Sequence, residues 1–476
     1  MEKDARYITT TLPYVNSDPH IGFASEIVSA DALARRWREE GFAVFFNTGT
    51  DEHGQKIAQK ADEKRQPRQE YVDHYAGEFA KLGELLGLSY DNFIRTTDPA
   101  HKEAAQELWR RCEQNGDIYK KKFKGLYCVG DEMFLRESDL VDGRCPNHPN
   151  MDPIEIEEEN YFFRLSNYQQ YLEEYLSVPG VVVPEWRREE ALAFVGGGLE
   201  DFSISRERTR LDWGVPVPGD EGQVMYVWFD ALTNYISTLG WPEDTQNHFR
   251  EFWEEGTTLQ LAGKDQVRFQ SVMWQAMLKS AGLPPTDSVL YHGFITSGGQ
   301  KMSKSLGNVI SPMELVARYG TEATRYLLLR HVHPFEDTDI TWERLDEWYT
   351  ANLVNGLGNL TARIMKMAAE YLEGPVPQIA HEALPTVAES VAAYKLNQAL
   401  DAIFAHVALL DERIQSTQPF KLAKEDIGAA RVELTFLVSE LARIAQELRA
   451  FMPQTAWAIL NAIAQNEKPE NLFPRL

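Results

Sequence analysis

From Arg6 to Thr50 the chain reads strand, polar loop, long helix, strand, and this order limits the fold more than any other stretch. "RYITTTLPY" is rich in β-branched and aromatic residues and ends at Pro13, as a buried strand would. After the polar turn "VNSDPH", residues 21–40 carry apolar side chains at helical spacing, and Gly41 closes the run. "FAVFFNTGT" is a second apolar strand, followed by "DEHG" and another helix. Alternation of this kind opens a parallel α/β sheet. The polar residues just after the strands, 14–20 and 50–53, then fall at the strands' carboxyl edge, where such sheets bind ligands.

From about Asp117 the texture changes. "IYKKKFKGLYCVGDEMF" and "NYFFRL" read as short antiparallel strands around a cysteine loop, with proline and tryptophan gathering in "VPEWRREE" and "DWGVPVP". Strand-like patterning resumes with "VMYVWFD", "TLQLAGKD" and "SVLYHGFI". Residues 112–225 therefore read as an insertion that splits an α/β domain into 1–111 and 226–341. Beyond Trp342 the signal is helical to the end, in "YTANLVNGLGNLTARIMKMAAEYL", "VAAYKLNQALDAIFAHVALLDERI" and "ARVELTFLVSELARIAQELRAFM". Residues 342–476 read as a helical bundle. A chain of 476 residues needs such a division, since one core does not grow that large.

Two stretches carry phosphate chemistry. In "GFITSGGQKMSKSLGN" a glycine-rich turn delivers Lys301 and Lys304 among hydroxyl residues, which suits phosphate oxygens, although a solvated basic turn reads the same way. In "PYVNSDPHIGF", His20 and Gly22 stand at the start of the long helix, where free N–H groups and the dipole favour an anion. Such a His-x-Gly is also an ordinary cap. Together, the two elements at opposite ends of a split domain would bracket one triphosphate. A third stretch, "CVGDEMFLRESDLVDGRCPNH", holds two Cys-x-x-ligand turns, Cys128/Asp131 and Cys145/His148, with the spacing of a zinc knuckle. The alternative is two buried cysteines in a loop that has lost its metal.

A net charge of −24 argues against a non-specific nucleic-acid coat and requires any RNA partner to be met by local basic surface. The first residues hold no apolar signal core and no run could span a bilayer, so no membrane partner is expected. With only Cys112, Cys128 and Cys145, a disulfide framework is not expected and a reducing cytoplasm is.

Taken in order, "TLPYVNSDPHIG", "TGTDEHG", "ISR…DWGVPVP", "YVWFDALTNYIS", "GKD" and "HGFI…KMSKSLGN" resemble the methionyl-tRNA synthetase family of class I aminoacyl-tRNA synthetases over essentially the whole chain. The resemblance implies a Rossmann-type catalytic domain split by a zinc-bearing insertion and followed by an α-helical anticodon-binding domain. It implies activation of methionine by ATP, with magnesium, then transfer to methionine tRNA. Leucine, isoleucine and valine enzymes carry a larger editing insertion than 112–225 allows, and cysteine enzymes use zinc in the amino acid pocket. A synthetase-like binding protein without activity is the rival of another class. No appended tRNA-binding domain follows the bundle, so a monomer is expected.

The resemblance also implies roles. His20 would contact the phosphates and Lys304 the leaving pyrophosphate, with Lys301 assisting on a loop hinged at Gly298 and Gly299. Asp265 would hold the ribose, and His292 with Gly293 would lie at the adenine. Leu12, Tyr14, Trp228, Ala231, Leu232, Tyr235 and Phe269 suit a thioether by residue type, with Asp51 as the partner of the substrate ammonium. Asn359 and Arg363, at i and i+4 in "GNLTAR", would read anticodon bases, with Phe420 stacking. One structural zinc would be held by Cys128, Asp131, Cys145 and His148. Four positions depart from the family pattern. Phe23 stands where a second histidine is usual, Gln270 where histidine is frequent, Asp131 where cysteine is common, and Phe420 where tryptophan is frequent.

Overall fold

A computed structural model describes residues 4–129, 133–135, 140–146, 149–302, 308–377 and 383–476, with the backbone alone described at Met133 and Lys301. The chain divides into two units, Met1–Asp18, Phe42–Lys81 and Tyr90–Tyr291 in the first and Pro19–Gly41, Leu82–Ser89 and His292–Leu476 in the second.

In the first unit the strand Ala5–Thr9 pairs in parallel with Ala43–Thr50 on one side and Thr257–Gly263 on the other. Asn92–Arg95 extends the sheet in parallel beyond Ala43–Thr50, and the six-stranded order runs 92–95, 43–50, 5–9, 257–263, 288–292, 182–183. Tyr7 and Ile8, adjacent and opposite in direction, are both fully buried, as a strand covered on two faces requires. The first strand stops at Thr9, short of the Pro13 expected from its composition. Thr10 N still donates to Asn47 O at 3.3 Å, after which the chain leaves the ladder and touches it once more at the Tyr14–Asp51 bridge. Pro13 brings no N–H to a ladder, but its carbonyl accepts from Asp51 N at 3.0 Å.

The antiparallel texture of the insertion becomes a long pair, Ile118–Cys128 against Ile154–Phe163, flanked by Met133–Leu135 and Phe202–Ser203. The helix Pro99–Gln114 runs through residue 112, and Cys112 is buried in the main core, where burial pushes its thiol up to about 12. "VMYVWFD" differs from its strand-like reading. Asp220–Met225 is a strand, but Val227–Leu232 is a helix. A short apolar run that is buried all round carries no period, so strand and helix look alike in it.

In the second unit the helix Ile21–Glu39 is followed in sequence, far downstream, by a small sheet. There Ile295–Ser297 pairs antiparallel with Gln300–Lys301 and parallel with Thr338–Asp339. Gly298 and Gly299 are the two residues of the hairpin turn, with φ of 63° and 72°, a conformation that glycine alone adopts cheaply. The turn is braced by Gly299 N donating to Asp339 Oδ1 at 2.7 Å. The bundle begins at Trp342–Trp348 and continues through a π-wound stretch, Tyr349–Gly358, directly into the helix Asn359–Tyr371. "VAAYKLNQ", read as continuous helix, breaks at Tyr394 (φ 58°) between Pro385–Ala392 and Leu396–Thr417.

One buried cation ties this unit. Arg325, fully buried on the helix Thr321–His331, meets Asp31 of the helix Ile21–Glu39 at 2.7 Å. It also donates to the carbonyls of Leu86, Ala450 and Phe451 at 3.1, 3.3 and 2.9 Å. Among the described residues no helix is long and apolar enough to cross a membrane.

Candidate active site

The turn after the strand Ala43–Thr50 is a buried polar point of the first unit. Asp51, Glu52 and His53 are all buried, directly behind a buried strand. Buried charges survive only with partners. Glu52 accepts from Arg95 Nε at 2.6 Å, from Thr50 Oγ1 at 2.7 Å and from Thr97 Oγ1. Its backbone N–H donates to Thr96 Oγ1 at 2.9 Å. His53 Nδ1 lies 2.6 Å from Asp230 Oδ2, and the ring meets Trp213 edge-on. Of this trio only Asp51 was singled out by sequence. The run of two carboxylates and a histidine after an apolar strand was the available signal for the rest.

The helix Val227–Leu232, which meets His53 through Asp230, also carries Trp228. Trp228 stacks on Phe269 with centroids 3.9 Å apart, and both are half-buried. Gln270 Nε2 donates to Tyr235 Oη at 2.7 Å, and Tyr235 packs edge-on against Trp274. Gln270 and Phe269 open a π-wound turn, Phe269–Met273, a local winding frequent at functional sites. Ala231 and Leu232 are buried on the helix that carries Trp228, while Leu12 and Tyr14 are half-buried on the edge-crossing segment. Asp265 is exposed in the turn that follows the strand Thr257–Gly263.

The second unit holds the remaining nucleotide candidates. His20 caps the helix Ile21–Glu39, its Nδ1 accepting from Gly22 N at 3.0 Å. A Cβ at residue 22 would lie 2.9 Å from the His20 ring, so Gly22 is what lets the imidazole fold back on the helix end. A neutral ring that accepts at Nδ1 carries its proton on Nε2. Ile21 N donates to Ile310 O at 3.2 Å, so the far end of the lysine segment is fastened beside His20. Phe23 is buried on this helix. His292 places Nε2 2.7 Å from Glu26 of the same helix and Nδ1 2.8 Å from Gly293 O. At Gly293 a Cβ would meet the Glu336 carbonyl carbon at 2.2 Å, so no other residue fits without moving the backbone. Lys301 lies in the hairpin strand opposite Thr296; Lys304 lies outside the described residues.

Cys128 and Cys145 share a small buried cluster with Leu135 and Leu140. Asp131 and His148 lie outside the described residues, and among those described no group of three His, Cys, Asp or Glu is placed to hold a metal. In the bundle, Asn359 is exposed at the first turn of its helix, and Arg363, one turn on, pairs with Asp411. Phe420 is 43% exposed at the start of the helix Pro419–Glu425.

Comparison with known proteins gives a consistent result. The family model for tRNA synthetases class I (M) matches residues 6–153 and 149–365. A methionine–tRNA ligase of Brucella suis is 41% identical over 482 residues, covering 98% of this chain and 92% of that protein. One from Thermosynechococcus vestitus is 42% identical over 476 residues, covering 95% and 88%. Among solved structures, Mycobacterium tuberculosis methionyl-tRNA synthetase bound by methionyl-adenylate superposes with a TM-score of 0.89 at 36% identity, covering 99% of each chain.

Proposed function

The chain belongs to the class I methionyl-tRNA synthetases, and from that premise we propose how its residues divide the work. The enzyme activates L-methionine with ATP, releasing pyrophosphate, and transfers the methionyl group to the 3′ end of methionine tRNA. ATP enters as its magnesium complex, and the reaction belongs to the cytoplasm, where tRNA is charged.

The methionine carboxylate attacks the α-phosphorus in line as pyrophosphate leaves, so catalysis is positioning plus stabilisation of charge on phosphate oxygens. The amino acid lies in the aromatic slot, and this is the observation that carries the assignment: Trp228 and Phe269 present stacked faces beside the Tyr235–Gln270 hydrogen bond. Such faces suit a polarisable thioether. Leu12, Tyr14, Ala231 and Leu232 complete the lining, and Asp51 takes the ammonium. Gln270 fixes the Tyr235 hydroxyl through its amide. Asp265 holds the ribose and His292 with Gly293 the adenine. His20, donating from Nε2, and Lys301 and Lys304 receive the phosphates. Phe23 cannot donate, so the α-phosphate loses one hydrogen bond, about 2–4 kcal/mol of transition-state stabilisation if nothing compensates.

We propose residues 1–111 and 226–341 as the catalytic halves, 112–225 as the insertion and 342–476 as the anticodon-reading bundle. In the bundle, Asn359 and Arg363 read base edges and Phe420 stacks. Each contact of this kind is worth about 1–3 kcal/mol. Asn359→Ala and Arg363→Ala therefore lower tRNA charging by roughly tenfold or more, while methionine-dependent exchange of pyrophosphate into ATP stays at the wild-type rate. If both activities fall together, the two residues hold the bundle and read nothing. Absence of methionine-dependent exchange in the unaltered protein would remove the enzymatic reading itself.

In the insertion, Cys128, Asp131, Cys145 and His148 would hold one structural zinc, which would stiffen the loop. Two thiols, 2% and 1% exposed and in one cluster, suit a soft cation, and Asp131 and His148 would supply the remaining oxygen and nitrogen donors. Metal analysis is expected to find about one zinc per chain, and chelation to lower the melting temperature. A zinc-free preparation that melts identically in chelator would eliminate the site.

A further inference from the structure

Asp230 is fully buried, and its two carboxylate oxygens go to two different histidines. His53 Nδ1 stands 2.6 Å from Oδ2, and His101 Nε2 stands 2.8 Å from Oδ1. On its other side His101 Nδ1 is 2.9 Å from Ser237 Oγ. Both ring nitrogens of His101 are thereby engaged, one by the carboxylate and one by the hydroxyl. Burial alone would push the Asp230 carboxyl up, but His53 and His101 pull it down to about 2, so the group is an anion at neutral pH.

These three residues come from three elements. His53 follows Asp51 by two positions in the turn after Ala43–Thr50, and His101 is on the helix Pro99–Gln114. Asp230 is on the helix Val227–Leu232, between Trp228 and Ala231. Stability alone does not call for a buried charge here, since apolar side chains of the same volume serve as well or better. What a fully satisfied polar cluster adds is a single arrangement of the elements that carry it. Glu52 pins the same turn from its other side through Arg95 and Thr97. Asp51 thus sits between two residues whose side chains are each fastened to a different neighbour.

We propose that Asp230 is a positioning residue for methionine: it holds the Asp51 turn at a set distance from the helix of Trp228 and Ala231, so the site measures the span from ammonium to thioether. The proposal rests on the reading that Asp51 and Trp228 contact methionine. Its consequence is discrimination by chain length. A homologue one methylene longer cannot fit between the two ends of a slot whose ends cannot move apart.

The test is pyrophosphate exchange by Asp230→Asn, which keeps the volume but loses the charge and one acceptor. The KM for methionine rises roughly tenfold to a hundredfold, while the KM for ATP and the rate at saturating methionine change by less than about threefold. The preference for methionine over its one-methylene-longer homologue narrows in parallel. His101→Gln, which keeps one of the two grips, moves both quantities the same way by less. A merely structural role would lower kcat and both affinities together with the melting temperature, and that pattern overturns the proposal. An unchanged methionine KM in Asp230→Asn overturns it too, provided Asp51→Asn raises that KM in the same assay. If Asp51→Asn also leaves the methionine KM unaltered, the pocket assignment falls, and this proposal falls with it.

Discussion

Arg325→Met is expected to cost the second unit about 3–5 kcal/mol, the usual penalty for leaving one half of a buried pair behind. The guanidinium is fully buried and bonded to a carboxylate and to three backbone carbonyls, Leu86 on one segment and the consecutive Ala450 and Phe451 on another. Methionine has nearly the shape and none of the donors. Asp31 would retain Arg35 and the Ser89 N–H and hydroxyl but lose its principal counterion. Amide hydrogen exchange along Ile21–Glu39 reads the effect directly, since opening of that helix no longer has to break the pair. A change below about 1 kcal/mol would show that packing, not Arg325, holds the segments.

The same pair gives a pH signature. Burial pushes the Asp31 carboxyl up, while Arg325, Arg35 and Ser89 pull it down, with a net lowering below its ordinary value. A lowered carboxylate contributes stability that is present above its unfolded-state range and is lost as pH falls through the lowered folded value. In Arg325→Met burial is opposed by less, so the loss on acidification sets in at higher pH than in the unaltered protein.

Lys304→Ala is the other large effect, a slowing of methionine-dependent exchange by roughly 10²–10³-fold, or about 2.7–4 kcal/mol of barrier. Negative charge accumulates on the pyrophosphate as the bond to the α-phosphorus lengthens, so an ammonium there is worth more in the transition state than in the ground state. Methionine affinity measured without ATP should hold steady. A matching loss of methionine affinity would mark Lys304 as structural. The lysine segment leaves the hairpin at Lys301, opposite Thr296, and is fastened again at Ile310, bonded to the residue after His20.

The parallel sheet was legible in the sequence because the signals that produce it are local. β-branched strands, an amphipathic helix and Gly41 each act within a few residues. The cap at His20 was legible for the same reason. The Asp230 cluster and the Arg325 tie were not, because their partners lie far apart in sequence and no local pattern marks them. His53 and Asp230 are separated by 177 residues, so no local window of the sequence holds both. Gly298 and Gly299 show a different limit. Two adjacent glycines do not reveal by themselves whether the chain turns tightly, and the pairing of Ser297 with Gln300 shows that it does.

The π-wound stretch Tyr349–Gly358 also bears on how this gene can change. Hydrogen bonds from i to i+5 take up more residues per turn than α winding, so the stretch stores spare chain just ahead of Asn359. Loss of a codon inside it can be absorbed by tightening toward α winding, and the face that carries Asn359 and Arg363 keeps its heading. The same loss a few codons later, between those two residues, has no slack to draw on and turns Arg363 about 100° away from Asn359. Insertions and deletions that are silent on one side of Gly358 would therefore be read as errors on the other.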